Sequence, residues 1–283
     1  MLFSTDFYYY MVNVRGFSRL SAETYSQCLD KFSYWMMLRG IAEEKNVSVI
    51  DAARFFAWCS KEQNLCAKTI NLHRSALISY YSYCCKFGGY TANPFRETDP
   101  MKVAKKLPRW ITEDVINDVV SRFDAKTFIG ARDKVLILLM AHCGLRASEI
   151  CNLAANDLNY TEVIVHGKGD KWRVVPVSIA IKLALDDYLS FRNKIVSPYF
   201  FVQYNNKQLT RAALFSIVRR AFANSCPPEC CHPHALRHSF ATICMLHNVP
   251  ISSIAHWMGH SSETTTLKYM AVVGANENPF DKF

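Results

Sequence analysis

"TEVIVHGKGDKWRVVPV", residues 161–177, is the one clear hairpin in this chain. Apolar and polar residues alternate on both sides of a turn made by Gly167, Lys168, Gly169 and Asp170, which is the pattern of two antiparallel strands. Helical patterns stand on either side of it. Upstream, "ARDKVLILLMAHCG" (131–144) is apolar almost throughout and reads as a buried helix. Before it, "ITEDVINDVVSRF" (111–123) opens with a capping-box pattern at Thr112. Downstream the helical periodicity resumes. The expectation is a mainly α domain (α+β) in which one small antiparallel sheet is set among helices.

Farther upstream the chain is helical only. "SAETYSQCLDKFSYWMMLRG" (21–40) places Tyr25, Leu29, Phe32 and Met36 three and four apart, with Ser21 as a cap candidate. "SVIDAARFFAWCSKE" (48–62) repeats the pattern with Ile50, Ala53 and Phe56, and "AKTINLHRSALISYYSYCCKFGG" (67–89) is a third helix ended by Gly88 and Gly89. Composition then shifts. "NPFRETDPMKVAKKLPRW" (93–110) carries three prolines and the five basic residues Arg96, Lys102, Lys105, Lys106 and Arg109, and reads as an extended basic linker. The division is a helical domain over 1–95, a linker over 96–107 and a larger domain over 108–283.

The 283 residues hold 33 Lys plus Arg against 24 Asp plus Glu, a balance that suits nucleic acid first and an acidic membrane surface second, or a merely basic protein. Half of the residues are hydrophobic, which is globular composition. The longest apolar run, "VLILLMAHCGL" (135–145), has the length of a core helix and not of a membrane span. The N-terminus does not read as a signal peptide, because Asp6 interrupts its apolar stretch and no basic segment precedes it. Eleven scattered cysteines fit free thiols in a reducing compartment, and the expected location is the cytoplasm.

Four segments of the larger domain concentrate reactive side chains. In "CGLRASEICNL" (143–153) Arg146 follows the buried helix, so its charge needs a partner such as Glu149 or an anionic ligand. Lys168 stands between two glycines at the hairpin tip. In "HPHALRHSF" (232–240) His234 and Arg237 share one face of a helix that Pro233 helps to start. In "GHSSETTTLKYM" (259–270) His260 and Tyr269 flank a helix that ends at Gly259 and a new start at Ser261 or Ser262. Singly, each has an ordinary structural explanation. Together, two arginines, two histidines and a lysine form a receptor for a phosphodiester. Guanidinium forks bind its nonbridging oxygens and stabilise the charge of a pentavalent transition state. A tyrosine can attack phosphorus, its proton removed with help from cationic neighbours or a histidine, while a lysine protonates the leaving sugar oxygen. This chemistry calls for no metal or other cofactor.

In this order the four segments resemble the tyrosine recombinases, or phage integrase family. "GLRASEI" is similar to its first arginine box, "GKGDKWRVVPV" to its hairpin with a catalytic lysine, "HALRHSFAT" to its His-x-x-Arg box, and "WMGHSSETTTLKYM" to its last histidine and nucleophilic tyrosine. "SAETYSQCLDKFSYW", "KTINLHRSALISYYSY" and "NPF" are similar to the family's helical core-binding domain, and "LPRWITEDVI" to the entry of its catalytic domain. The resemblance implies that Arg146, Lys168, His234, Arg237 and His260 assemble the site and that Tyr269 attacks. It implies a simple Xer-like recombinase, or a relative carried by a plasmid, transposon or conjugative element, that cleaves and rejoins strands through a 3′-phosphotyrosyl intermediate and a Holliday junction. The partners implied are double-stranded DNA with paired inverted half-sites, further copies of the chain (a dimer on one site, a tetramer in synapsis), and accessory DNA-bending or regulatory proteins. Lys102, Lys105, Lys106 and Arg74 are the candidate DNA contacts outside the site.

Competing readings are a type IB topoisomerase and a non-catalytic DNA-binding module. A further one is a zinc site in "CPPECCHPH" (226–234), from Cys226, Cys230, Cys231, His232 and His234, but it would consume His234 and has no second ligand pair at a usual distance. Beyond Tyr269, Gly274 breaks the helix and the tail is either frayed or docked; the resemblance implies docking, with Phe280 and Phe283 inserted into a neighbouring protomer.

Overall fold

The computed structural model of the chain describes residues 4–103, 109–167, 172–260 and 264–267. The chain divides into two units, Met1–Lys105 and Lys106–Phe283.

In the first unit, α1 (Ser4–Tyr9) runs into a wider helical turn at Tyr10–Val14, followed by α2 (Arg19–Leu38), α3 (Val49–Lys61) and α4 (Ala67–Phe87). The sequence reading has no helix before about residue 20. Three consecutive tyrosines are poor helix formers, and tertiary contact overrides that preference: Phe7 meets Tyr80 edge-on at 5.4 Å and Tyr10 lies 5.0 Å from Tyr83. The cap of α2 is Ser18 and not Ser21, since the Ser18 hydroxyl accepts from the Ser21 amide at 3.2 Å. On α3 the capping box is complete, with Ser48 and Asp51 bonding each other's backbone amides. Its buried residues are Ala52, Phe55, Phe56, Trp58 and Cys59, whereas Ile50 and Ala53 point outward. The apolar stripe is thus rotated from the expected one, because the large aromatic Phe55 claims the core. Phe32 is the centre of that core, 4.9 Å from Phe55 and 5.2 Å from Phe95. Phe95 belongs to the proline-rich segment. That segment is fastened to α4 as far as residue 101, by Asn71 to both backbone groups of Met101 and by Arg74 to Thr98.

The second unit contains α5 (Glu113–Ser121), α6 (Phe128–His142), α7 (Ala147–Asn152), the strands β1 (Glu162–His166) and β2 (Trp172–Pro176), then α8 (Ile179–Arg192), α9 (Arg211–Phe222), α10 (Pro233–Leu246), α11 (Ile251–Met258) and α12 (Thr264–Leu267). Among the described residues the architecture is mainly helical with one two-stranded antiparallel sheet. Thr112 occupies the cap position of α5 but makes no side-chain cap bond; the neighbouring Ile111 amide is held by Ser239 Oγ at 2.7 Å. The run Val135–Met140 of α6 is at most 1% exposed, so α6 is the core element against which α5, α7, α8 and α10 pack. Each such side chain contributes roughly 1.5–3 kcal/mol on burial. In the sheet Val163 pairs with Val175, Val165 with Arg173 and His166 with Trp172, and Val163, Val165, Arg173 and Val175 face inward. Among the described residues no helix is long and apolar enough to cross a membrane.

Candidate active site

The turn between α6 and α7 aims the first cationic group. Gly144 has φ +63°, and a Cβ there would lie 2.4 Å from the ring of Phe240, so only glycine fits. Two residues on, Arg146 is the N-cap of α7, and Glu149 sits one turn into that helix. The Arg146 amide donates to Glu149 Oε2 at 2.8 Å and its Nη1 to Oε1 at 2.7 Å, so the carboxylate holds both the backbone and the guanidinium. Arg146 Nη2 also donates to the Gly259 carbonyl at 3.1 Å. The pairing of Arg146 with Glu149 agrees with their helical spacing.

Glu149 serves two more arginines. Arg173 of β2 donates from Nη1 and Nη2 to its two oxygens, at 2.9 and 2.8 Å, and from Nε to the Trp257 carbonyl at 2.6 Å. Arg237 of α10 lies 4.0 Å from Oε2 and donates to the carbonyls of Gly144 and Met258. Arg173 and Arg237 are buried, while the Arg146 side chain keeps a third of its surface exposed. Burial alone would raise the Glu149 carboxyl, but the bonds and charge of Arg173, then the amide and charge of Arg146, hold it below the ordinary value. Three guanidinium charges against one carboxylate leave a surplus of two, which is an electrostatic setting for an anion.

α11 brings the histidine. Gly259 caps it in the left-handed conformation, φ +62°, and a Cβ there would press on the Arg173 side chain at 3.1–3.4 Å. His260 follows, its amide bonded to the Ala255 carbonyl at 3.0 Å and its Nδ1 2.8 Å from Thr266 Oγ1 of α12. Burial, followed by the charges of Arg237, Arg146, His238 and Arg173, pushes His260 down to about 4. The ring is therefore neutral at neutral pH, and Nδ1 is the ring nitrogen engaged by Thr266. His238 is pushed down to about 4 as well, by burial and then by His234, Arg237 and His232.

The structure thus brings Arg146, Arg237 and His260 together around Glu149 and Gly259. His234 lies exposed on the first turn of α10, one turn before Arg237. Lys168 and Tyr269 lie outside the described residues, as do Lys105, Lys106, Ser261, Ser262, Gly274, Phe280 and Phe283. His166 and Gly167, at the end of β1, line a cleft of about 190 Å³ with Arg146, Ser148, Glu149 and Asn152, so the base of the hairpin and the first arginine share one concavity. A larger cleft of about 720 Å³ lies on the N-terminal unit, lined among others by Met36, Met37, Ile41, Glu44 and Tyr90, and holds none of the candidate residues. Chemistry and not size marks the site.

Of the other DNA-contact candidates, Lys102 is exposed. Arg74 is half-buried and engages Thr98, Nε bonding its carbonyl at 2.9 Å and its hydroxyl at 3.1 Å, which commits much of its fork within the N-terminal unit. In the cysteine cluster, Cys226 and Cys231 approach each other, but among the described residues no three His, Cys, Asp or Glu side chains converge as a metal site would need. Two participants are missing from the sequence reading, Arg173 and Thr266. Arg173 had a legible signal: it stands two residues before Val175 on the inward face of a strand, where an arginine must find a partner. Thr266 has no comparable signal in a run of three threonines.

Comparison with known proteins agrees over both units. The model described as phage integrase family matches residues 109–275, and that of the phage integrase N-terminal SAM-like domain matches residues 5–86. Tyrosine recombinase XerC of Bacillus licheniformis is 28% identical over 279 residues, covering 95% of this chain and 91% of that protein. Tyrosine recombinase XerA of Pyrococcus horikoshii is 32% identical over 267 residues, covering 92% and 86%. Among solved structures, XerH recombinase bound to palindromic difH substrate in a post-cleavage complex aligns with a TM-score of 0.77 at 23% identity, over 95% of this chain and 81% of that one. A lambda integrase dimer bound to a COC′ core site aligns at 0.75 and 16% identity, over 98% of each chain. At such identities these two likenesses show a common fold.

Proposed function

The chain belongs to the phage integrase family and is a tyrosine site-specific recombinase; we propose that Arg146, Arg237 and His260, with Lys168, His234 and Tyr269, carry its cleavage and rejoining of DNA strands. The observation that carries this reading is the cluster of arginines with surplus charge around Glu149, beside a neutral imidazole.

In this reading a DNA phosphodiester enters the cleft with its nonbridging oxygens toward Arg146 and Arg237, and His234 and His260 complete the hydrogen bonds to it. Arg173 makes no such contact; its bonds keep Glu149 and the end of α11 in place. The Tyr269 oxygen, its proton removed with help from the cationic neighbours or a histidine, attacks phosphorus and forms a 3′-phosphotyrosyl bond, while the bond to the 5′-oxygen breaks and Lys168 gives that oxygen a proton. Attack by a 5′-hydroxyl from a second strand reverses the step and releases the tyrosine, and two such exchanges pass through a Holliday junction. The bond energy stays in the tyrosyl linkage, so no nucleotide is consumed.

Residues 1–95 form the core-binding domain, 96–107 the connection and 108–283 the catalytic domain, with Lys102, Lys105 and Lys106 meeting DNA phosphates. The substrate is double-stranded DNA with paired inverted half-sites, bound by two protomers per site and four in synapsis, with room for accessory DNA-bending proteins. The work is done in the cytoplasm. XerH bound to a palindromic difH substrate and the lambda integrase dimer on a core site support the DNA partner.

The test is covalent capture. Tyr269→Phe removes only the nucleophilic oxygen, so the variant should bind half-site DNA like the wild type yet form no SDS-stable complex with a nicked suicide substrate. A covalent complex in that variant would move the nucleophile elsewhere.

A further inference from the structure

The proposed mechanism uses none of the thiols at Cys226, Cys230 and Cys231, which crowd the loop between α9 and α10. Two of them are placed as partners. Cys226 Sγ lies 3.5 Å from Cys231 Sγ, with Cys226 half-buried and Cys231 buried. Cys231 Sγ rests 3.4 Å from the Phe222 carbonyl at the end of α9, so the sulfur is held in position and not merely near by chance of rotation. A disulfide requires the sulfurs to close by about 1.5 Å, to the usual length of about 2.05 Å, and the residues are only five apart in sequence.

We propose that Cys226 and Cys231 are a dithiol modification site that closes to an intramolecular disulfide under oxidising conditions and reopens on reduction. The oxidant is a small-molecule disulfide of the glutathione class. The Cys226 thiolate, the more accessible of the two, attacks one sulfur of that disulfide; its S–S bond breaks and one small thiol departs with a proton. The Cys231 thiolate then attacks Cys226 Sγ, the mixed disulfide breaks and the second small thiol departs. Two electrons and two protons pass from the protein to the oxidant, which ends as two thiols. Burial, and then the bond with Cys231, push the Cys226 thiol up from its ordinary value.

The loop leads straight into the helix of the proposed site. His232, next to Cys231, caps α10 by accepting the Ala235 amide on Nδ1 at 3.0 Å; His234 follows on the first turn and Arg237 on the second. Drawing Cys231 toward Cys226 shifts that cap. A displacement approaching 1 Å at a phosphate-binding group lowers cleavage by about tenfold or more. This consequence rests on the functional reading above, whereas closure of the disulfide does not.

The experiment exposes the full-length protein to oxidised glutathione and maps its cysteines by peptide mass spectrometry. Exposed Cys66 acquires a mixed disulfide and certifies that the oxidant has acted. The proposal expects a peptide linked from 226 to 231, lacking two hydrogens and restored by dithiothreitol. If Cys66 is modified while Cys226 and Cys231 stay free for alkylation, or if Cys226 stops at a stable glutathione adduct, the site is refuted. The second measurement is suicide-substrate cleavage before and after oxidation. Wild type should lose about tenfold and recover on reduction, and Cys226→Ser should cleave like reduced wild type whether oxidised or not. A linked peptide with undiminished cleavage would overturn the coupling to α10, and an equal loss in Cys226→Ser would assign the effect to another cysteine.

Discussion

Replacing Arg173 by methionine keeps most of the side-chain length and removes the fork. In the native domain that fork makes three bonds, two to the Glu149 carboxylate at 2.9 and 2.8 Å and one to the Trp257 carbonyl at 2.6 Å. Removing one partner of a buried ion pair costs about 3–5 kcal/mol, because the remaining charge stays desolvated. Arg146 still meets Glu149 at 2.7 Å, which places the expected loss at the lower end, about 3 kcal/mol. For a domain of this size that is a fall in melting temperature of roughly 6–12 °C, at 2–4 °C per kcal/mol. The pH dependence supplies the sharper check. In the wild type the Glu149 carboxyl lies below its ordinary value, so its stabilising contribution is present above about pH 4.3 and is lost as pH falls through the native value. Without Arg173, burial opposes ionisation, so the variant gains by protonating Glu149. The gap between wild type and variant must narrow from about pH 7 to about pH 4. Thermal melts of both proteins across that range, with Arg173→Lys as a variant that keeps the charge but not the fork, make the measurement. A gap that is constant with pH, or a melting shift below about 2 °C, would refute the role assigned to the carboxylate.

Lys168→Ala should lose cleavage on ordinary DNA and regain it on a substrate with a 5′-thio leaving group, which needs little protonation, whereas Arg146→Ala should not be rescued; equal defects on both substrates would remove the acid role. His238 and His260, both pushed down to about 4, stay neutral where an ordinary histidine would be charged. The unfolded chain therefore binds more protons between about pH 6.5 and pH 4, and stability should fall with acid through that window, less so in His238→Gln; a variant with the same pH profile as wild type would contradict the shift. Replacing Lys102, Lys105 and Lys106 together by alanine should reduce the slope of log affinity against log salt by up to about 2.7, or about 0.9 per phosphate contact; an unchanged slope would mean these lysines do not meet DNA.

The elements that could be read from sequence are those in which local and tertiary demands agree. The hairpin announces itself by alternation around a glycine turn, and α6 by an apolar run with no polar face. Arg146 and Glu149 sit at a helical spacing that brings them together wherever the helix is placed. Elsewhere tertiary packing makes the decision. The polarity of α3 leaves two frames for its apolar stripe, and only the contact of Phe55 with Phe32 and Trp35 chooses between them. α1 forms on a run of tyrosines because Tyr80 and Tyr83, some seventy residues away, supply aromatic partners. The convergence of Arg146, Arg173, Arg237 and His260 joins segments more than a hundred residues apart, and no local pattern encodes it. Motif order stood in for it, but the use of one carboxylate by several segments has no signature in any single motif.

That shared carboxylate binds the history of these segments as well as their geometry. Glu149 is a creditor to three arginines from three stretches of chain, so none of the four can drift alone. A descendant that lost Arg173 would leave the buried Glu149 carboxylate without two of its hydrogen bonds and come under pressure to change position 149 next. Among diverged copies, replacement of Arg173 should therefore travel with replacement of the glutamate by a neutral residue. A copy that lacks its tyrosine yet keeps the glutamate and all three arginines would be one that still grips phosphate without cutting it.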